Sequence, residues 1–524
     1  MNWNEEVDVI IAGSGGVLAG AYTAAREGLD VAVFEASDKF GGTTAYSGGG
    51  MWFPCNPVLK RAGVDDTVED ALTYYQSVVG DRTPKDIQEA FVRGGAPLVE
   101  YLEQDANIEF ALLPWPDYYG KAPKAKIDGM RHMTAAPLTA EEVGSLRDLL
   151  RPPLDTDRLG APLPESLIGG QALIARLVMA ISAYPNASLH LNSTLVELVV
   201  EDGAVTGAVV ERDGQRIAVR ARRGVVLGTG GFEANEEMRK EFGVPGSAED
   251  TMGVPTNIGL GLRAAIAAGA DVDLVDQAWW SPGITHPDGR STFSLWITGG
   301  IFVDSNGERF VNESGPYDRI GRTALGALEE GNLGLPYWII FDDREGEVPP
   351  IKSTSVTVVE AEEFVAEGLW HSADTLQELA EKIGVPSNSL AATVARYNGF
   401  VADGVDLDYG RGDEAYDRAF FGGHSPMVPI ESGPFHAAAL GLSDLGTKGG
   451  IRTDAVGRAL DRSGAPIAGL YASGNTMAAP SGEAYPAGGN PIATSMLFSH
   501  LAVQDIAKAD RALRAIDNDS AISS

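Results

Sequence analysis

The first 35 residues constrain the fold more than any other part of the chain. Val7-Asp-Val-Ile-Ile-Ala12 is a short apolar run with β-branched residues, which predicts a buried parallel strand. Gly13-Ser-Gly-Gly16 predicts a tight turn, Val17 to Arg26 a helix rich in small residues, and Val31 to Glu35 a second strand. Together these segments predict a βαβ unit that opens an α/β fold of the Rossmann type.

This unit also carries the signs of a dinucleotide-binding turn. Backbone N–H groups at Gly13 and Gly15, next to a helix N-terminus, suit a pyrophosphate. Glu35 lies 20 positions after Gly15, where the ribose-binding acid of such a fold belongs. Leu18 replaces the third glycine of the fingerprint, which normally lets helix and strand approach closely. We therefore expect an adjusted helix packing, to which Gly20 is suited.

Further glycine-rich segments favour FAD over NAD. The cluster from Gly41 to Gly50 directly follows the second strand, and its glycines and hydroxyls would let backbone approach a large planar ligand. Gly228 to Gly231 and Gly474-Asn475 are two more glycine turns at predicted strand ends. An NAD enzyme needs only the first of these turns.

Composition excludes several classes of protein. A chain of 524 residues exceeds one ordinary core, which indicates two domains. The net charge of −33 argues against binding to nucleic acid or to anionic membranes. A single cysteine, Cys55, allows no internal disulfide and fits a reducing compartment, so we expect a cytoplasmic protein. The sequence indicates no metal-ligand spacing among its histidines, no signal peptide and no membrane span of roughly 20 apolar residues.

The pattern along the chain divides it into a nucleotide domain and an insert. Four short strands between Ser188 and Ala221 predict an antiparallel meander. From about Trp279 strands and helices alternate without a dinucleotide turn, and near Gly469 the first pattern returns. We predict an α/β protein whose Rossmann-type FAD-binding domain, residues 1–277 and 445–524, is interrupted by a smaller α+β substrate domain at 278–444.

The region around Tyr485 indicates a site for a neutral carbonyl. Between Arg462 and Lys508 the chain has no Lys or Arg, and His500 is its one histidine there. A site that binds a carboxylate favours a guanidinium. Here a tyrosine precedes a glycine-rich turn instead, which disfavours fumarate reduction.

Several segments resemble a known family. They are Gly42-Thr-Thr-Ala-Tyr-Ser-Gly-Gly49, Met51-Trp-Phe-Pro-Cys-Asn-Pro57, Ala62-Gly-Val-Asp-Asp-Thr67, Arg309-Phe-Val-Asn-Glu-Ser-Gly-Pro-Tyr-Asp318 and Tyr485-Pro-Ala-Gly-Gly489. With them the chain resembles the fumarate reductase and succinate dehydrogenase flavoprotein superfamily over nearly its whole length. Within that superfamily it is most similar to the 3-ketosteroid Δ1-dehydrogenase family.

This resemblance implies a role in steroid metabolism and lipid degradation, and a mechanism for the 1,2-desaturation of 3-ketosteroids. Tyr485 O–H and the Gly489 N–H would hold the C3 carbonyl oxygen, Tyr317 would take a proton from C2, and C1 would give a hydride to flavin N5. A helper tyrosine is Tyr118, with Tyr119 as the alternative. Tyrosine has an ordinary pKa of about 10, and contact between two hydroxyls would reduce the cost of forming a phenolate.

The resemblance also implies a cofactor site and partners. No histidine occurs between residues 36 and 50, so we expect FAD to be held without a covalent bond. An external electron acceptor, quinone-like or of unknown type, would reoxidise it. The predicted cofactor-binding residues are Gly13, Ser14, Gly15, Gly16, Val17, Glu35, Ala36, Gly41, Gly42, Thr43, Thr44, Ser47, Gly48, Gly49, Gly50, Leu195, Thr229, Gly230, Gly231, Gly474, Asn475, Pro491 and Ile492.

Alternatives remain open for the reaction and for the substrate pocket. The fold would also suit a Δ4-dehydrogenase of 5α-reduced ketosteroids, another enone-forming enzyme, or a catalytically silent FAD-binding or electron-transfer subunit. Trp279-Trp280 and Phe293-Ser-Leu-Trp296 could wall an apolar steroid pocket or fill the core at the domain junction.

Overall fold

The computed structural model describes residues 2–295, 297–345 and 361–522. The strands are β1 (Glu5–Ala12), β2 (Val31–Phe34), β3 (Met51–Trp52), β4 (Phe110–Leu112), β5 (His132–Ala135), β6 (Leu138–Thr139), β7 (Ser166–Leu167), β8 (Ala187–His190), β9 (Ser193–Glu201), β10 (Ala204–Arg212), β11 (Gln215–Leu227), β12 (Val272–Asp273), β13 (Ala278–Thr285), β14 (Ser291–Phe293), β15 (Ile301–Val303), β16 (Tyr337–Asp342), β17 (Trp370–Ala373), β18 (Phe435–Thr447), β19 (Gly450–Ile451), β20 (Arg458–Leu460) and β21 (Pro466–Ala472).

The α-helices are α1 (Leu18–Arg26), α2 (Gly42–Tyr46), α3 (Pro57–Arg61), α4 (Val68–Val79), α5 (Lys85–Leu102), α6 (Ala140–Val143), α7 (Leu154–Leu159), α8 (Gly169–Ser182), α9 (Glu236–Phe242), α10 (Leu260–Ala267), α11 (Tyr317–Glu329), α12 (Ala361–Ala366), α13 (Leu376–Ile383), α14 (Ser387–Asp403), α15 (Ala415–Ala419) and α16 (Asn490–Ile522). Short 3-10 helices cover Gly144–Leu149, Ala248–Asp250, Asp343–Glu345 and Gly474–Thr476.

The first sheet is built on the predicted βαβ unit. Its strand order is β20-β21-β11-β1-β2-β8, and β1 pairs in parallel with both β2 and β11. The apolar run from Val9 to Ala12 is fully buried, as expected for a central parallel strand with both faces covered. These features confirm the predicted α/β class with a Rossmann-type sheet.

Two details of this sheet differ from the predicted meander. β8 pairs in parallel with β2 and extends the parallel sheet, so the meander itself consists of β9, β10 and β11. β11 is one continuous strand that pairs with β10 along its first half and with β1 along its second. Residue alternation predicts a strand but does not identify its partner, which explains both differences.

The second sheet is antiparallel and uses residues 278–447. Its order is β14-β13-β18-β16-β15, with β17 also paired to β18. Helix α11 packs on β13, and α13 lies on β17 and β18. The observed sheet has the α+β character expected of the insert. The exact division at residues 278 and 444 stays a prediction.

Two glycines, Gly16 just before α1 and Gly20 within it, allow close contact with the last helix, α16. A Cβ atom added to Gly16 would lie 2.9 Å from Ser495 Cβ, and one added to Gly20 would lie 2.9 Å from the Ser499 carbonyl oxygen. The Gly20 N–H also donates to Ser499 Oγ at 3.1 Å. Gly20 therefore allows a close contact between two helices rather than between a helix and a strand. This contact brings the N-termini of both helices to the same end of the first sheet.

Candidate active site

A cavity of about 430 Å³ opens at the carboxyl ends of the parallel strands, where α/β proteins of this type bind ligands. It runs from the glycine turn after β1 to a group of tyrosines under the second sheet. The predicted cofactor residues that line it are Gly13, Ser14, Gly15, Gly16, Glu35, Ala36, Gly42, Thr43, Thr44, Ser47, Gly48, Gly49, Gly50, Leu195, Thr229, Gly230, Gly474, Asn475, Pro491 and Ile492.

Three of the predicted cofactor residues do not line the cavity. Val17 packs against Gly228, where an added Cβ would lie 2.5 Å from the valine side chain. The Gly41 N–H donates to Ser14 Oγ at 2.9 Å and so supports the turn from behind. A Cβ on Gly231 would lie 2.0 Å from Thr447 Oγ1, so this glycine packs against protein rather than against the cavity.

Glu35 has the surroundings expected of a ribose-binding acid. The side chain is buried at the cavity wall, and its Oε2 accepts a hydrogen bond from Ser14 Oγ at 2.5 Å. Its Oε1 accepts from Ser37 N at 2.9 Å and Ser37 Oγ at 2.8 Å. These bonds fix the carboxylate beside the glycine turn, with lone pairs left for a ligand hydroxyl.

Three tyrosines from distant parts of the chain meet at the other end of the cavity. Tyr118 comes from the segment after β4, Tyr317 begins α11, and Tyr485 precedes α16. Their ring centroids lie 5.3 to 5.7 Å apart in edge-to-face contacts. The N–H of Gly489 donates to Tyr485 Oη at 3.3 Å, so both predicted ketone-binding groups face one place.

The structure places Tyr118 in the cavity and Tyr119 outside its lining. The N–H of Tyr118 donates to the Pro486 carbonyl at 2.9 Å, which ties this segment to the Tyr485 turn. Asp117 strengthens the link, because its buried carboxylate bonds Arg131 at 2.7 Å and Trp52 Nε1 at 2.9 Å. The ring of Tyr119 instead lies 5.5 Å from the Arg319 guanidinium.

Burial raises the pKa of all three phenols. The pKa of Tyr485 rises only to about 12, because its hydrogen bond with Tyr317 and the one from the Gly489 N–H offset part of the effect of burial. The pKa values of Tyr118 and Tyr317 lie well above the ordinary 10.0. Their mutual hydrogen bond lowers the pKa of Tyr118 and raises that of Tyr317, so the contact stabilises a phenolate on Tyr118 rather than on the predicted base.

The cavity wall next to the tyrosines is apolar. It includes Leu154, Met252, Val254, Phe293, Leu295 and Leu445. Among the described residues, no Lys or Arg lines the cavity. Trp279 and Trp280 lie outside the lining, where Trp279 packs on Tyr485 at 4.6 Å between ring centroids. Trp296, the remaining tryptophan of the predicted wall, lies outside the described residues.

Two buried residues near the tyrosines were not identified from the sequence. His132 lines the cavity, and burial lowers its pKa to about 3, so it is neutral. Lys448 lies behind Tyr485, with Nζ 6.0 Å from the ring centroid. The sequence around Tyr485 has no Lys or Arg, and none of the described residues of the cavity wall is Lys or Arg either. Behind the Tyr485 ring, however, the fold places Lys448 from a distant segment. Neither residue stands in a recognisable motif.

Comparison with known proteins identifies the class first. The family described as FAD binding domain matches residues 8–492, so the chain is an FAD-binding flavoprotein. The N–H donors of the glycine turns and helix N-termini, with Glu35 as an acceptor, fit this cofactor. In the described part of the chain there is no group of three or more His, Cys, Asp or Glu that could hold a metal ion. Nor does any described helix have the length and apolarity needed to span a bilayer.

Individual relatives then define the family. The 3-oxosteroid 1-dehydrogenase of Mycolicibacterium smegmatis is 35% identical over 97% of this chain and 99% of its own. The crystal structure of 3-ketosteroid Δ1-dehydrogenase from Sterolibacterium denitrificans, in complex with 1,4-androstadiene-3,17-dione, is 31% identical with a TM-score of 0.87, covering 97% of this chain and 100% of that chain. This chain belongs to the 3-oxosteroid 1-dehydrogenase family of FAD-dependent enzymes. The 4-oxocyclohexanecarboxylate 2-dehydrogenase of Sinomonas cyclohexanicum is also similar, at 34% identity over 95% of this chain and 92% of its own.

Proposed function

We propose that this protein desaturates the C1–C2 bond of 3-ketosteroids. The observation that carries the proposal is the meeting of Tyr118, Tyr317, Tyr485 and the Gly489 N–H at the end of an apolar cavity free of Lys and Arg in the described chain. Bound FAD supplies the acceptor for the C1 hydride. The donors at Tyr485 and Gly489 suit a neutral ketone oxygen, and the apolar wall suits a steroid skeleton.

The proposed ketone clamp makes the C2 proton acidic. Tyr485 stays protonated at neutral pH because its pKa is about 12, so its hydroxyl can donate to the ketone oxygen. The Gly489 N–H is the second donor. Both strengthen as negative charge develops on that oxygen, and the final helix begins next to Gly489 with its positive end toward the site.

The proposed base is the tyrosine pair rather than one residue. In the reactive form Tyr118 is a phenolate: Tyr317 takes the proton from C2 at its hydroxyl oxygen while it passes its own proton to the Tyr118 oxygen along their hydrogen bond, so both tyrosines end the step neutral. Tyr118 is the better place for the negative charge, because both Tyr317 and Trp115 Nε1 donate to it, the latter at 3.2 Å. This relay keeps Tyr317 as the group that contacts the substrate.

Other substrates are less well suited to the cavity. A carboxylate such as 4-oxocyclohexanecarboxylate, or fumarate, would face a lining whose one charged side chain among the described residues is Glu35. A silent FAD-binding or electron-transfer subunit would not need the three tyrosines. A Δ4-dehydrogenase of 5α-reduced steroids would use the same ketone clamp and differs only in which carbon faces the base.

Further properties belong to the same proposal. FAD is held without a covalent bond, since the segment from residue 36 to 50 offers no histidine. An external acceptor, quinone-like or of another type, reoxidises it. The protein works in the cytoplasm, because its single cysteine fits a reducing compartment.

Anaerobic reduction of the bound flavin tests the proposal. The purified holoenzyme is mixed with androst-4-ene-3,17-dione, and loss of the yellow flavin absorbance with formation of the 1,4-diene is expected. Bleaching by 5α-androstane-3,17-dione alone would support the Δ4 alternative, and bleaching only by 4-oxocyclohexanecarboxylate would move the function to that substrate. No bleaching by any of the three ketones would contradict the proposed activity.

A further inference from the structure

Lys448 places an amine directly behind the turn that carries Tyr485. It follows β18 and is fully buried, yet it is not part of the cavity wall. Its Nζ donates to the carbonyl oxygen of Glu483 at 2.9 Å and to that of Ala484 at 2.5 Å. These are the last two carbonyls before Tyr485, so the amine fixes the direction in which the chain enters that residue.

The same amine also lies against the aromatic rings behind the site. Nζ is 4.0 Å from the ring centroid of Trp279, and Trp279 in turn packs on Tyr485. The indole N–H of Trp279 donates to Asn475 Oδ1 at 3.1 Å, which fixes the ring. Lys448 thus holds the Tyr485 turn by its main chain and supports the Tyr485 ring through Trp279.

The lysine connects the turn to the start of α11 as well. Its attraction to Asp318, the residue after Tyr317, favours the charged amine, although burial has the larger effect and lowers the pKa of Lys448 well below its ordinary value. Asp318 is buried and bonds Arg322 Nε at 3.0 Å. Among the described residues no carboxylate lies within 4.0 Å of Nζ, so hydrogen bonds to main-chain carbonyls are its direct polar contacts.

A buried amine without a direct ion pair is costly, which calls for a reason beyond filling space. We propose that Lys448 is a positioning residue that sets the Tyr485 hydroxyl for recognition of the ketone. The inference rests on the proposed function, because it assigns Tyr485 to the C3 oxygen. It predicts that loss of the amine affects recognition of that oxygen more than affinity for the steroid skeleton.

Lys448→Met tests this, because methionine has a similar length and no N–H donor. Wild type and variant holoenzymes are titrated with androsta-1,4-diene-3,17-dione and with 5α-androstan-17-one, which lacks the C3 oxygen, following the flavin absorption spectrum. We expect the preference for the 3-oxo steroid to fall by on the order of 10-fold with little change for the other steroid. Turnover should fall by on the order of 10²-fold, as for a misplaced catalytic group.

Lys382→Met is the matched control. Its Nζ also donates to a main-chain carbonyl, that of Ser372 at 2.5 Å, but near the surface of the second sheet. This variant should match wild type in both measurements.

An unchanged preference in Lys448→Met, or an equal loss of affinity for both steroids, would overturn the positioning role. If the Lys448→Met protein does not retain FAD, the Lys448→Gln variant, whose side chain is shorter, is used instead. A Lys448→Gln enzyme with wild-type preference and wild-type turnover would also overturn the positioning role. Wild type that fails to prefer the 3-oxo steroid or to oxidise any 3-ketosteroid would instead refute the proposed function, so the two failures are distinguishable.

Discussion

Single hydroxyl and N–H groups carry the proposed chemistry of this protein. The hydroxyl of Tyr485 lies in a buried, apolar place, where a hydrogen bond is stronger than in water. The second donor is the N–H of Gly489, whose backbone has a φ of +82°. A Cβ atom at this position would lie 2.1 Å from the Gly50 carbonyl oxygen. Glycine is therefore required at this position by both conformation and space.

Removal of the Tyr485 hydroxyl should affect turnover rather than cofactor binding. We expect Tyr485→Phe to lower kcat by on the order of 10²-fold, because one donor to the developing oxyanion is lost. FAD content, measured from the ratio of flavin to protein absorbance, should equal that of wild type. Tyr119→Phe is the control, since this ring lies outside the cavity lining, and it should turn over normally. Normal turnover in Tyr485→Phe would exclude its role in activating the ketone.

At the scale of helices, the contact between α1 and α16 organises the cofactor end of the cavity. Both helices begin at the cavity, with Gly16 next to the start of α1 and Pro491 in the first turn of α16. Their small facing residues allow backbone to approach backbone. Displacement of one helix would therefore shift two walls of the cofactor site together.

Gly20→Ala should separate these helices. Its added Cβ would lie 2.8 Å from Ser499 Cβ and 2.9 Å from the Ser499 carbonyl oxygen, so we expect a loss of about 1–3 kcal/mol in the free energy of unfolding and weaker FAD binding. Urea denaturation and FAD titration of the apoprotein would measure both. Gly326→Ala on α11 meets no atom within 4 Å and should be neutral or slightly stabilising. Equal stability of the two variants would contradict the close packing.

A histidine on α16 should make stability depend on pH. His500 is packed between Thr23, whose Oγ1 lies 2.8 Å from Nδ1, and the ring of Tyr101. Burial lowers its pKa from 6.5 to about 4, so it stays neutral in the folded protein while the unfolded chain takes up a proton below pH 6.5. Its contribution to stability is present above pH 6.5 and is lost, at about 1.4 kcal/mol per pH unit, as the pH falls toward 4.

Urea denaturation at pH 7 and pH 5 measures this dependence. Between these values His500→Gln should lose about 2 kcal/mol less stability than wild type, because its side chain does not titrate. His424→Gln replaces an exposed histidine and should keep the wild-type difference. A His500→Gln protein with the full wild-type loss would show that another group is responsible.

For the whole molecule, the two sheets and the overall charge act together on the substrate. The first sheet supplies much of the cofactor cradle, and the second sheet supplies Phe293 and Leu445 of the apolar wall. The net charge of −33 surrounds this neutral site with a negative field. Such a field leaves an uncharged steroid unaffected and repels an anionic ketone.

Salt dependence should distinguish the two kinds of substrate. With a neutral 3-ketosteroid, we expect kcat/KM to change by less than about 2-fold between 20 and 300 mM NaCl, because an uncharged substrate has no long-range electrostatic interaction with the protein for salt to screen. With 4-oxocyclohexanecarboxylate, kcat/KM should be far lower and should rise with salt as repulsion is screened. A steroid reaction as salt-sensitive as that of the anion would contradict a neutral binding mode.

The sequence by itself determined the parallel core, the cofactor turns and the family. These follow from local patterns, because an apolar run, a glycine turn and an acid at a fixed spacing all lie within one βαβ unit. It also named the three tyrosines that meet at the cavity, through motifs that resemble the family.

The tertiary structure decided what depends on contacts between distant segments. It put Tyr118 in the cavity lining and Tyr119 outside it, paired β8 with β2, and placed Lys448 behind Tyr485. Val17, Gly41 and Gly231 share the glycine-rich segments of the cofactor site, yet they face protein atoms. The direction of a side chain is set by the packing of its whole surroundings, which neighbours in the sequence do not specify.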